Sequence, residues 1–283
     1  PRDVLAATSP PGRGMTDGGL ELQVAVVGGT AVPVEQVSAL ARLAADLRGR
    51  ATAVAPPVRR APELVRSEDL PEHVRGRPVL GLAVDTLEPV GFEPAGTFLV
   101  TGPPGSGRSN AVHWLTDAVA RVAPNARLVH LGTRRTALAG RAGWHRSATG
   151  DDAAEVARSV AALFTDPAPE GRTTAVLVVE DLPDFLAGPA ETALTELIKK
   201  VRRNGHLLLA EGESSAWTAP WPLLTEVRAG RRGLVLQPDG PEGEAVLRTL
   251  FPRVRRTDFP PGRALVADRG HVRPVHLPLV VSG

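Results

Sequence analysis

Between Thr97 and Asn110 the chain reads Thr-Phe-Leu-Val-Thr-Gly-Pro-Pro-Gly-Ser-Gly-Arg-Ser-Asn, and no other passage restricts the possible folds as much. The apolar run Thr97–Thr101 suits a strand, and the apolar periodicity of Ser109–Val122 suits a helix that begins near Gly107. Between them Gly102, Gly105 and Gly107 let the backbone curl so that its N–H groups point inward. The helix N-terminus adds a favourable potential for an anion. Strand, glycine loop and helix in this order make a phosphate cradle, Gly-x-x-x-x-Gly followed by a cation and a hydroxyl. The pattern calls for Lys at the cationic position; this chain has Arg108.

The substitution matters physically. Lys is a compact point charge that reaches the terminal phosphates, whereas the guanidinium of Arg108 is longer, planar and forked. The backbone cradle does not depend on it, and Ser109 still offers the hydroxyl that Mg²⁺ requires. The expected nucleotide contacts are therefore Gly102, Pro103, Pro104, Gly105, Ser106, Gly107, Arg108, Ser109 and Asn110. The ligand expected there is ATP with Mg²⁺, held weakly or structurally, with transition-state stabilisation impaired more than binding.

A second site follows the apolar run Ala175-Val176-Leu177-Val178-Val179, which ends in Glu180-Asp181. Carboxylates at the tip of such a strand orient the metal shell and activate water in phosphoryl-transfer sites. The usual order is Asp then Glu, and here it is reversed. Glu180 is the expected metal-side acid and Asp181 the expected base, the pair being read as the catalytic residues. A third strand, His206–Ala210, ends in Glu211-Gly212, where many phosphate-loop motors carry an amide or hydroxyl that senses the terminal phosphate. A carboxylate there argues against efficient hydrolysis. Arg202 and Arg203 are read as a solvated helix end, with an arginine finger as the alternative. The seven His show no metal-ligand spacing and no Ser/His/Asp grouping.

Further strands are expected at Arg127–Gly132 and Gly233–Gln237, and helices at Asp151–Phe164, Pro189–Arg203, Trp221–Arg228 and Glu242–Leu250. Near-continuous apolar strands alternating with helices imply an α/β fold, a mostly parallel sheet covered on both faces. Towards the N-terminus, Leu20–Gly28 reads as a strand, Val34–Leu47 as an amphipathic helix, and Ala55–Leu70 as a Pro-rich linker. The expected division is a preceding module's tail or linker at 1–19, a strand–helix segment with linker at 20–77, and the nucleotide-binding domain at 78–283. Pro10-Pro11-Gly12-Arg13 is echoed by Pro260-Pro261-Gly262-Arg263, which suggests a tandem array.

Composition narrows the function classes. The chain has 283 residues, 42% of them hydrophobic and 23% charged, with no Cys. That is the composition of a globular protein without disulfides or thiol chemistry. No apolar run approaches the length of a membrane span. The sequence pI of about 9.8 accompanies a net charge of only +2, because Lys199 and Lys200 are the only lysines and there is no Tyr. The high pI reflects missing groups that titrate above neutrality rather than a strong positive field, and gives DNA binding little support.

Together these motifs resemble the FtsK/SpoIIIE-type P-loop ATPases, and within them the tandem-ATPase EccC component of actinobacterial type VII secretion systems. The resemblance is carried by Pro78-Val79-Leu80-Gly81-Leu82 and Leu87-Glu88-Pro89-Val90 ahead of the loop, by Gly102–Ser109, by Glu180–Phe185, by Arg202–Leu207, and by Phe259–Ala264, which is similar to the Pro-Pro-Gly-Arg-Gly that closes EccC modules. It runs from about Leu20 to the C-terminus. It implies a RecA/FtsK-like P-loop fold and a degenerate, most nearly terminal, ATPase module. That module binds ATP with weak or no hydrolysis and docks the tails of small helical WXG100-type substrates. The implied partners include neighbouring ATPase modules of the same chain. The implied location is the cytoplasm, as part of a membrane-anchored complex that meets the membrane only through other parts of the full-length protein. The alternative is an active DNA translocase.

Overall fold

A computed structural model describes residues 10, 12–16, 20–48, 50, 60–239 and 242–280. Two compact units are present, 1–58 and 59–283.

In the first unit, β1 (Arg13–Met15) and β2 (Glu21–Gln23) pair antiparallel, and α1 spans Pro33–Arg48. The strand expected over Leu20–Gly28 is thus shorter, and a 3-10 turn follows at Val27–Gly29. Proline at the start of α1 suits the first helical position, where its missing N–H costs nothing. Gln36 holds the entry by accepting from the Val27 N–H and donating to the Val27 carbonyl. Ala39 is the one buried hydrophobic among the described residues of this unit.

The second unit is built on one sheet. Its strands are β3 (His73–Val74), β4 (Arg77–Ala83), β5 (Pro89–Gly91), β6 (Gly96–Gly102), β7 (Arg127–Gly132), β8 (Arg146–Thr149), β9 (Ala175–Val179), β10 (Leu207–Glu213), β11 (Gly233–Leu236), β12 (Arg263–Asp268) and β13 (His271–His276). The spatial order is β3-β4-β13-β12-β11-β6-β10-β9-β7-β8, with β5 beside β4. From β11 to β8 every pairing is parallel. From β11 through β12 and β13 to β4 every pairing is antiparallel. The sheet is α/β as expected, but its second half was not anticipated. β4 carries a bulge and β13 contains Pro274, so neither reads as an uninterrupted apolar run.

The helices are α2 (Arg108–Val122), α3 (Asp152–Ser159), α4 (Glu191–Arg203), α5 (Pro222–Arg228) and α6 (Glu242–Leu247). Two buried clusters lie on opposite faces of the sheet. On one, Trp114, Leu115 and Val119 of α2 pack with Val176, Val178, Leu207 and Leu209. On the other, Leu194, Leu197, Ile198 and Val201 of α4, at one-face helical spacing, pack with Leu177, Val179, Leu208 and Ala210. Because both faces of β9 and β10 are covered, Ala175–Val179 and Leu207–Ala210 are apolar throughout, and Glu211 is the exception on β10. Strand alternation sends even and odd residues to opposite faces. On β9, β10 and β7, the positions that share the α2 face continue into Glu180, Glu211 and His130.

Candidate nucleotide site

The glycine loop lies where β6 hands over to α2. Gly105 and Gly107 have φ of +75° and +96°, in the left-handed region that side chains resist, and Gly107 caps the helix with ψ of 21°. Ser106 is fully buried and its Oγ has no hydrogen-bond partner. An orphaned hydroxyl beside the free N–H groups of a helix start fits a phosphate, which would satisfy both. Ser109 is exposed. The backbone of the expected loop, Gly102–Asn110, thus fits the phosphates of a nucleotide.

Its side chains are less free. The guanidinium of Arg108 folds back under the loop, donating from Nη1 to the Gly102 carbonyl at 2.9 Å, and its Nε lies 2.6 Å from Glu211 Oε1. Glu211 is therefore no remote turn residue: its side chain is 3% exposed and closes on the loop's own cation. Its other oxygen accepts the backbone N–H of Asp181 at 3.0 Å. Burial pushes the Glu211 carboxyl up to about 7, against the opposing pull of the Asp181 N–H and Arg108. Gly212, which follows, is required by its surroundings, since a Cβ there would lie 2.6 Å from the Pro183 ring.

The two acids after β9 point to different partners. Glu180, 2% exposed, bonds through Oε2 to His130 Nε2 at 2.9 Å and to the Thr136 hydroxyl at 2.5 Å. His130 is fully buried and bonds Ser147 through Nδ1 at 2.9 Å, with its ring 5.2 Å from that of Trp144. This row ties β9, β7 and β8 together along the strand ends. Asp181 sits in the left-handed region at φ 47°, which Asp tolerates better than most residues. It accepts from Arg134 Nε at 3.1 Å. Burial and the neighbouring Asp181 raise the Asp184 carboxyl, so the strand ends carry a surplus of acid.

Sequence reasoning missed two features. His130 is 50 residues from Glu180 and 17 from Ser147, and only the parity of positions along β7 and β9 hinted at a shared face. The C-terminal segment was also missed as a neighbour of the loop. The side chain of Asn110, a residue expected to contact nucleotide, donates from Nδ2 to the Pro278 carbonyl at 2.9 Å and accepts the Val280 N–H at 2.8 Å. The closing turn, Arg263 N–H to Pro260 carbonyl, brings Gly262 N within 4.0 Å of a Cβ placed on Gly107. The two most specific motifs of the chain are spatial neighbours. Of the arginines before Asn204, Arg202 is ion-paired with Glu226 and Arg203 is exposed. Trp217 is fully buried and Trp221 partly exposed.

Among the described residues no helix is long and apolar enough to cross a membrane. No family model and no curated protein matches the chain. Solved structures do. Thermomonospora curvata EccC (ATPases 2 and 3) in complex with a signal sequence peptide superposes with a TM-score of 0.66 at 22% identity, over 96% of this chain and 54% of that one. EssC (ATPases 2 and 3) from Geobacillus thermodenitrificans gives 0.62 at 17%, over 99% and 57%. The pCW3 conjugation coupling protein TcpA with ATPγS gives 0.52 at 11%, over 88% and 83%. The chain thus spans little more than half the length of the EccC and EssC structures. It has the P-loop NTPase fold seen in the ATPase domains of EccC and EssC.

Proposed function

We propose that this chain is a nucleotide-binding module of a type VII-like secretion motor that hydrolyses ATP weakly or not at all. One observation carries the reading: the loop keeps the positive-φ glycines and open helix start that a phosphate cradle needs, while its cation, Arg108, is spent on Gly102 and Glu211. The engagement of Glu180 by His130 and Thr136 supports it, because an acid so held is drawn away from a metal shell. Ser109 is the residue left to meet Mg²⁺, with Glu180 only if its partners release it.

The module's role is then regulatory or docking. It works beside neighbouring ATPase modules of the same polypeptide, on the cytoplasmic side of a membrane-anchored complex. The EccC structure carrying a signal sequence peptide supports WXG100-type substrate tails as the docking partner. A cavity of about 460 Å³ beside the loop, lined by Pro103, Pro104, Ser214, Thr218, Val246 and Arg256 among others, offers an apolar seat. Calorimetry with Mg·nucleotide and a turnover assay, each with and without duplex DNA, test this together. The expected result is binding with turnover well below the order of 1 per second typical of enzymes, unchanged by DNA. Turnover at that rate sinks the degenerate reading, and DNA-stimulated turnover supports the translocase instead.

A further inference from the structure

Resting on that nucleotide-binding reading, we propose that the site selects nucleoside diphosphates over triphosphates, and that Glu211 is the residue that sets this preference. The loop separates into two kinds of group. The backbone N–H groups at the start of α2, from Gly107 to Ser109, and the orphaned Ser106 hydroxyl are what the cradle itself would offer a phosphate. Of the side chains around the place of a further phosphate, Ser109 is exposed, while the charged ones are engaged. Arg108 is held by Gly102 and Glu211, Glu180 by His130 and Thr136, and Asp181 by Arg134.

Charge points the same way. Glu180, Asp181, Asp184, Glu211 and Glu213 gather at the strand ends, and the arginines among them, Arg108 and Arg134, are already paired. A terminal phosphate adds negative charge to this cluster, where like charges in close juxtaposition are strongly unfavourable. It also has to compete with a buried carboxylate for Arg108. Glu211 is held in place from three sides: by the Arg108 guanidinium, by the Asp181 N–H, and by the close fit of Gly212 against Pro183. It cannot swing aside cheaply.

The test is competition for the loop between ADP and a non-hydrolysable ATP analogue. A fluorescent ADP is displaced from the full chain at pH 8, with and without Mg²⁺, for the parent and for Glu211→Gln. The parent is expected to prefer ADP by about tenfold or more, the size of one modest electrostatic term, and Glu211→Gln to close most of that gap while ADP affinity stays within a few-fold. Equal affinities in the parent, or a gap unchanged by Glu211→Gln, overturn the proposal. No binding of either nucleotide to either protein refutes the nucleotide-binding reading itself. Melting curves accompany both proteins, and should the Gln variant fail to melt cooperatively, Glu211→Met, uncharged and of similar length, carries the same comparison.

Discussion

Replacing Glu211 with Gln is expected to change how stability depends on pH, with a sign that follows from the burial of its carboxyl. In the fold the carboxyl titrates near 7, against an ordinary value of 4.5. Its folded value is raised, so the folded state holds the proton more tightly than the unfolded chain does. Stability conferred by this group is therefore greatest below 4.5 and declines as pH climbs towards 7, since the unfolded carboxyl ionises first. At 1.36 kcal/mol per unit, the decline between pH 5 and pH 8 comes to about 2–3 kcal/mol. For a unit of this size that corresponds to a fall of roughly 5–10 °C in melting temperature. Gln has the same shape but does not titrate, so the variant's melting temperature should fall less between these pH values, by about that amount. Thermal melts followed by circular dichroism at pH 5, 6, 7 and 8 measure both curves, and subtracting one from the other removes titrations common to both. If the two curves run parallel, Glu211 is not a buried, desolvated carboxyl, and the account of the loop's latch is wrong with it.

Other outcomes follow from the same geometry. His130→Ala removes the partner of a buried carboxylate and is expected to lower stability by about 3 kcal/mol, read from the denaturant midpoint; a loss under 1 kcal/mol would show that the row through Glu180 does not fasten the strands. Burial, followed by the nearby Arg263, lowers the titration of His276. The unfolded chain thus takes up that proton first, and stability should drop as pH falls below about 6.5. His276→Gln should flatten that limb of the profile, checked by the same melts at pH 5–7.

Much of this was legible because local rules decide it. The strand, loop and helix from Gly96 to Val122 follow from an apolar run, glycines that accept positive φ, and a helical period, all contained in one short stretch. The parallel strands β7, β9, β10 and β11 showed for the same reason: burial on both faces leaves little room for polar residues. The antiparallel half did not show, because Gly81, the bulge in β4 and Pro274 in β13 interrupt any pattern a window can detect. The helix expected over Asp151–Phe164 ends at Ser159 and tightens into a 3-10 turn at Ala161–Phe164.

By itself the sequence determined the kind of loop this chain carries, the residues in it, and the fact that Arg108 and Glu211 stand where other chemistry is usual. Their relation was left open, since a cation and an anion distant along the chain can face the same ligand or face each other. Only the tertiary structure decided that. Parallel pairing of β6 and β10 sets Glu211 opposite Val100, and alternation along the strand turns it to the α2 face. There burial leaves it no better partner than the guanidinium 2.6 Å away. A buried charge has to be compensated nearby, and this fold compensates it with the loop's own arginine.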